Sequence, residues 1–453
     1  MIILIKFFLD MNNLVQNKKV VLYTFSILAA TSAIISFYLN INLSSISPYL
    51  ELNKYLLEFD IFAKAGGAAS DLETHWIYIQ ILRENIGNLI TYELGTDFKI
   101  LSYPLHHIII SQLPFVGSDL KIYLLTFFMI SLLLPILFYR CLIIKYPEVE
   151  KYKLLNLASI IYLLPAFQYS AIWGNPHISA LFFLLFSIYF FLKLELSNFK
   201  KIKYLYLNII FLALAAYTKQ FYVFLFPFFF IIYLQKINFI SLMKVSVFTI
   251  LFSLPGVFFL TINPKLYMGF NTLNITSFPS SIIISISIIF IYLFPFILQG
   301  LINGTLNYKD LFNKINKSRF TNFFIMLLFF ILSYFFYYEG MIGGGIIYKF
   351  SNIIFGNNYF LFLVSFFGVY FILFYTENKL SKHVLSILLI VTFSSGFFIF
   401  QKYFEPMFFI LFLIFFDKKK IESSITKNNT CVTLYFLFYY IGINIIYSIN
   451  GIF

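Results

Sequence analysis

The stretches Leu181 to Leu192 and Phe221 to Leu234 run without a single charged side chain, and similar runs recur along the chain. Segments of this kind must satisfy their backbone hydrogen bonds internally if they enter lipid, which leaves only helices and closed barrels. A barrel strand alternates apolar and polar residues over about 9–11 positions. These runs are apolar throughout, so they read as helices. Composition agrees, because 61% of the 453 residues are hydrophobic and only 11% are charged. A water-soluble domain carries about 25% charged residues, so a soluble enzyme is excluded. The 64 Phe and 34 Tyr exclude a disordered chain.

Each span needs about 20 apolar residues. Segments fall roughly at 19–41, 121–140, 154–173, 177–192, 204–218, 220–235, 245–262, 281–302, 321–338, 356–375, 384–400, 406–416 and 432–450. The expectation is an all-α polytopic integral membrane protein with about 11–13 transmembrane helices and a long first extracytoplasmic loop. Residues 1–18 form a cytoplasmic N-terminus, and 19–453 form one membrane domain that includes the loop 42–120. The short apolar run Met1 to Leu9 is followed by Met11, a second possible start of translation. Cys141 and Cys431 lie far apart and make neither a disulfide framework nor a metal site.

Lys and Arg are retained in cytoplasmic loops. With the N-terminus inside, 23 of the 32 basic residues fall on the cytoplasmic side, and the net charge of +13 reads as a topology signal with no nucleic-acid partner. Nine remain outside: Lys54, Lys64, Arg83, Lys99, Lys121, Lys219, Lys265, Lys349 and Lys402.

The outer side also holds the chemically rich islands. Gly66-Gly67-Ala68-Ala69-Ser70-Asp71-Leu72-Glu73-Thr74-His75-Trp76 sits in the first loop. Ser70 or Asp71 can cap a helix that starts there, and Asp71 and His75 would share a face at i, i+4. Asp71 is therefore either a cap or a reactive carboxylate. Asp71, Glu73 and His75 are suitable metal ligands by type, yet Asp71 and Glu73 point to different faces, so a divalent metal is possible but not favoured. In Ser102-Tyr103-Pro104-Leu105-His106-His107 the adjacent histidines diverge, which places at least one on a surface turn. Further islands are Trp173-Gly174-Asn175-Pro176-His177, Thr218-Lys219-Gln220, Asn263-Pro264-Lys265, Glu339 to Lys349, and Gln401-Lys402-Tyr403-Phe404-Glu405-Pro406. Lys219 stands among Leu, Ala, Tyr and Phe, where an ammonium either snorkels to the interface or meets an anion at the membrane surface.

The order of these elements resembles the GT-C superfamily of polytopic glycosyltransferases that use polyprenyl-phosphate sugars. Asp71 to Gln80, Ser102-Tyr103-Pro104-Leu105, Thr218-Lys219-Gln220 and Gln401 to Pro406 are similar to the loop pattern of members using dolichyl-phosphate glucose or mannose. The chain departs from that pattern in having Asp-Leu-Glu where many members have paired acids, and Lys219-Gln220 where some have Arg-Gln.

The resemblance implies Asp71 as catalytic base with Glu73 as a second acid. His75, Trp76, Tyr103, His106, Asn175, His177, Gln220 and Glu405 would line the substrate site. Lys219, Lys402 and Lys349 would contact the carrier phosphate. It further implies a lipid-linked sugar donor, a glycan or glycolipid acceptor, no required cofactor, and a site on the extracytoplasmic face of the cytoplasmic membrane, with membrane lipids as the surroundings. Two other functions fit the sequence: a polymerase or ligase of lipid-linked surface polysaccharide, and a transporter or flippase. The first would draw on arginines, of which only Arg83, Arg140 and Arg319 occur. The second would show ionisable groups at mid-membrane or inverted repeats.

Overall fold

A computed structural model describes residues 18–44, 67–87, 89, 103–262, 278–306, 319–338, 344–377, 380–394 and 401–450. The run Met1 to Leu9, the loop segments 45–66 and 90–102, Asn263-Pro264-Lys265 and Glu339-Gly340 lie outside them. The helices are α1 (Lys18–Ser44), α2 (Gly67–Glu84), α3 (Leu105–Gln112), α4 (Leu120–Ser131), α5 (Leu134–Lys145), α6 (Lys151–Ser159), α7 (Pro165–Ile172), α8 (Pro176–Leu196), α9 (Ile202–Ala216) and α10 (Leu225–Lys236). They continue with α11 (Phe239–Ile262), α12 (Phe278–Ile302), α13 (Arg319–Tyr334), α14 (Gly345–Phe355), α15 (Tyr359–Tyr375), α16 (Leu380–Phe393), α17 (Gln401–Ile410), α18 (Lys418–Thr426) and α19 (Thr430–Asn450). Among the described residues there is no strand, only an isolated antiparallel bridge between Thr376 and Phe416.

The chain is an all-α multi-pass membrane protein. Among the described residues, five stretches are long and apolar enough to cross a bilayer: 19–38, 120–145, 176–196, 239–261 and 278–302. Shorter apolar helices follow the other expected segments, including 202–216, 359–375 and 430–443. The expected span 154–173 is not one helix. Pro165 drives Leu164 into an extended conformation (φ −75°, ψ 134°). The segment therefore breaks into α6, a 3-10 turn at Ile160–Leu163, and α7, which Pro165 opens.

The chain divides into two compact units. The first comprises 28–144, 161–270 and 440–453. Its helices α8 and α9 are clasped at mid-length: Asn208 Nδ2 donates to the Ser187 carbonyl at 2.9 Å, Ser187 Oγ donates to the Asn208 carbonyl at 3.0 Å, and Tyr233 OH donates to Asn208 Oδ1 at 2.5 Å. Polar groups buried in apolar helices are stable only when paired in this way. On α11, Phe239, Ile240, Ile250, Leu251 and Phe258 are exposed, as expected of a helix bathed in hydrocarbon.

The second unit comprises 1–27, 145–160 and 271–439. Its centre is α12, buried along almost its whole length. Helix α15 approaches it closely at Gly368, where an added Cβ would lie 2.9 Å from the Ile286 carbonyl oxygen. Ser365 Oγ donates to the Ile283 carbonyl at 2.9 Å one turn away. A web of amides joins the polar ends of this unit. Asn156 Nδ2 donates to the Leu22 carbonyl, while Asn156 Oδ1 accepts from Asn429 Nδ2 and Thr433 Oγ1. Nearby, Asn303 Nδ2 donates to the carbonyls of Ser424 and Asn428, and Gln299 accepts the Cys431 N–H. Cys141 and Cys431 are both free and buried.

Candidate functional site

The first unit contains the densest group of polar and titratable side chains outside the amide web. Helix α2 begins at Gly67, earlier than a cap at Ser70 or Asp71 requires, so Asp71 is an interior residue of the helix. The stripe Leu72, Ile79 and Leu82 is buried and recurs at helical spacing, with His75 and Trp76 between its members. Asp71 keeps its place one turn before His75. The side chains of Asp71 and Glu73 lie outside the described set. Gln80 Nε2 fixes α2 by donating to the Gly117 carbonyl at 2.8 Å.

Helix α3 starts after Pro104, and its first N–H, at Leu105, donates to the Tyr217 carbonyl at 3.1 Å. Its first turn presents both histidines inward: His106 is 2% exposed and His107 is 1% exposed. The expected surface turn is thus overturned. The reason is that α3 is covered by neighbours on two sides, so diverging side chains find different walls of the same interior.

His106 is held in a directional chain. Tyr123 OH donates to the Gly174 carbonyl, which leaves its oxygen to accept His106 Nε2–H at 3.0 Å. The other nitrogen, Nδ1, then accepts the Ser179 hydroxyl at 2.9 Å. Both ring nitrogens are engaged, and the neutral Nε2–H tautomer is fixed. Gly174 is required at the end of this chain: its φ is +61°, and a Cβ there would lie 2.7 Å from the Tyr123 ring. Burial, assisted by the nearby Lys219 charge, pushes the His106 pKa down to about 3.

His107 meets α2. Its Nε2 lies 3.0 Å from His75 Nδ1. Rings sharing a proton in line at that distance would have centres about 5.3 Å apart. The centres are 5.1 Å apart, so the two nitrogens face each other close to in line. The Tyr78 ring packs against His107 at 4.8 Å. Burial, then His106 and Lys219, hold the His107 pKa well below the ordinary range, so the ring is neutral. Its Nδ1 is buried and has no hydrogen-bond partner, and an unmet buried polar atom costs about 1–3 kcal/mol.

Lys219 is half-buried and extended (φ −141°, ψ 112°) between α9 and the 3-10 turn Gln220–Phe224. Two residues before it, the Tyr217 carbonyl receives the first N–H of α3. Two residues after it, the Phe221 ring stacks on His177 in the first turn of α8 at 6.2 Å. Asn175 caps α8 by accepting the His177 N–H at 3.1 Å. The His106–Ser179 bond joins the first turns of α3 and α8. Lys219 is therefore flanked in sequence by contacts to the positive ends of two helices, a setting that favours an anion.

The sequence-derived candidates separate as follows. His75, His106, Asn175, His177, Lys219 and Gln220 belong to this neighbourhood. Trp76 stacks on Tyr123 at 5.7 Å. Tyr103 faces another wall, packing on Tyr217 and Phe259 and donating to the Gly256 carbonyl at 3.2 Å. Glu405, Lys349 and Lys402 belong to the second unit. There Glu405 is 3% exposed and accepts Tyr292 OH at 2.5 Å, and Lys349 is half-buried on α14. The Lys402 side chain lies outside the described set.

Three participants were not nominated from sequence: His107, Tyr123 and Ser179. The His-His pair was a visible signal for the first. Tyr123 and Ser179 sit in apolar runs and carry no mark in sequence. No protein-family model matches the chain, and no curated protein or solved structure matches it.

Proposed function

We propose that this protein is a membrane glycosyltransferase that moves a hexose or pentose from a polyprenyl-phosphate carrier to a glycan or glycolipid acceptor. The reaction would take place on the extracytoplasmic face of the cytoplasmic membrane, with the N-terminus inside. What carries the reading is one juxtaposition. Helix α2, with Asp71 one turn before His75, is joined through His107 to α3, whose start is bonded two residues from Lys219. A carboxylate position and a cation joined through two imidazoles suit a displacement in which a hydroxyl loses a proton while a phosphate leaves.

Asp71 would deprotonate the acceptor hydroxyl as general base. Lys219, with the positive ends of α3 and α8, would neutralise the charge growing on the departing phosphate. The attack would invert the anomeric carbon. His106, with both nitrogens engaged, would brace α3 against α8 and make no substrate contact.

The test is transfer of radiolabel from polyprenyl-phosphate sugars to a membrane lipid extract by the purified protein, without ATP or an ion gradient. Asp71→Asn should fold normally and lose transfer by at least about 100-fold. Full activity in that variant would remove Asp71 as the base.

A further inference from the structure

The transfer just proposed leaves a proton to be placed. As the bond from the anomeric carbon to the phosphate oxygen breaks, its electron pair goes to the phosphate. The acceptor oxygen bonds to the carbon and gives up its proton to Asp71. The donor phosphate enters with one negative charge and leaves as a monoester whose second pKa is near 6. Turnover therefore requires that Asp71 lose a proton and permits the phosphate to gain one.

The first unit contains a path of the right shape. His75 follows Asp71 by one helical turn, so the two positions share a face of α2. His75 Nδ1 and His107 Nε2 face each other at 3.0 Å, close to in line. The far nitrogen of His107, Nδ1, is buried without a hydrogen-bond partner, on a helix whose start is bonded two residues from Lys219. The neighbouring His106 is locked in one tautomer by Tyr123 and Ser179 and cannot take part. The remaining titratable groups around the pair are Tyr78, packed on His107 with a buried and unbonded hydroxyl, and Lys219.

We infer that His75 and His107 form a proton relay that carries the acceptor's proton from Asp71 to the leaving phosphate. The relay runs through tautomers. His75 takes a proton at Nε2 and passes the one on Nδ1 to His107 Nε2, and His107 delivers the proton on its Nδ1 to a phosphate oxygen. Neither ring need become a cation, which accords with His107 being kept neutral by burial. The unmet nitrogen of His107 is then the output end, bonded once the phosphate arrives. The reverse exchange, with a water proton entering at His107 and one leaving at His75, restores the starting tautomers.

The inference rests on the glycosyl-transfer reading, and the experiment separates the two. His75→Gln and His107→Gln keep a hydrogen-bonding side chain that cannot shuttle a proton. Purified wild type and both variants are given radiolabelled polyprenyl-phosphate hexoses and pentoses, and the first turnover is resolved from the steady state. The first turnover should proceed near the wild-type rate, because Asp71 can hold one proton. The steady state should then fall at least 10-fold and recover when imidazole is added to the buffer. A wild-type steady state in both variants overturns the relay. So does a first turnover slowed as much as the steady state, which would assign the pair to binding or folding. Absence of transfer in the wild type itself overturns the functional reading and the relay with it. Tryptophan fluorescence melts confirm that each variant is folded.

Discussion

Two polar clusters, one in each unit, bury their groups in different ways. In the second unit, the web around Asn156 and Asn303 is built mainly of amides and hydroxyls that knit helix ends to loops, with the Lys153 and Lys427 ammoniums bonded to carbonyls at its edge. In the first, the group around α3 and the Lys219 turn adds imidazoles, phenols and a half-buried ammonium to its hydroxyls and amides, and His107 Nδ1 is unmet. Amide webs cannot change protonation and serve to fix geometry. Clusters with titratable members can move charge. The contrast separates a cluster that fixes geometry from one that can also move protons.

The strongest way to break that contrast is to remove a cation from each unit. Lys219→Met should lower transfer by about 100-fold, through loss of charge opposite the leaving phosphate. Lys153, whose Nζ donates to the Thr426 carbonyl and pairs with Glu150 at 3.5 Å, is its counterpart in the web. Lys153→Met should leave kcat/KM within about twofold, the effect of a change away from the reacting atoms. Equal losses in the two variants would erase the distinction.

Asn156→Leu should then destabilise the protein by about 1–2 kcal/mol, since it removes three buried bonds at once, while Asn429 Nδ2, Thr433 Oγ1 and the Leu22 carbonyl each keep a second partner in the Lys153 carbonyl, the Asn429 carbonyl and Ser26 Oγ. Transfer per folded molecule should be unchanged. Denaturation in detergent, followed by activity at matched folded concentration, checks both halves.

Much of this contrast was legible in sequence, and the illegible part has a physical reason. The apolar runs foretold an all-α membrane chain because lipid allows few alternatives. The 3.6-residue period of α2 placed Asp71 and His75 on one face before any coordinates. What pairs with His75 was not legible, because His107 lies 32 positions away and only tertiary packing brings α3 against α2. Tyr123 was hidden for another reason: on an apolar helix a tyrosine reads as a core aromatic until its hydroxyl is seen bridging His106 and Gly174. Pro165 was visible, yet the broken span at 154–173 was read as continuous because hydropathy does not register a lost backbone donor.

A comparable effect sharpens the first unit's side of the comparison. Gly174→Ala forces a side chain into a left-handed conformation and against the Tyr123 ring. It should cost about 2 kcal/mol and loosen the brace on His106. The chain's two tryptophans, Trp76 and Trp173, both belong to this unit, so their fluorescence reports its melting selectively. An unchanged melt would show that Tyr123 can withdraw and that the brace is not rigid.

The smallest effect per step is the response to pH. A histidine whose folded pKa lies below its unfolded value of about 6.5 is destabilised as pH falls, because the unfolded chain then binds the extra proton. His106, depressed to about 3, contributes its full stability above pH 6.5 and loses it progressively down to about 3. His107 is depressed in the same direction by burial, His106 and Lys219. Each should add a slope of about 1.4 kcal/mol per pH unit in that window. Tryptophan fluorescence melts at pH 7.5, 6.5 and 5.5 measure it. His106→Gln should begin less stable at pH 7.5, having weakened the links to Tyr123 and Ser179, and should then lose less per pH unit than the wild type. If its slope matches the wild type, His106 is not titrating in this window, and the acid sensitivity of the unit has to be sought at His107 instead.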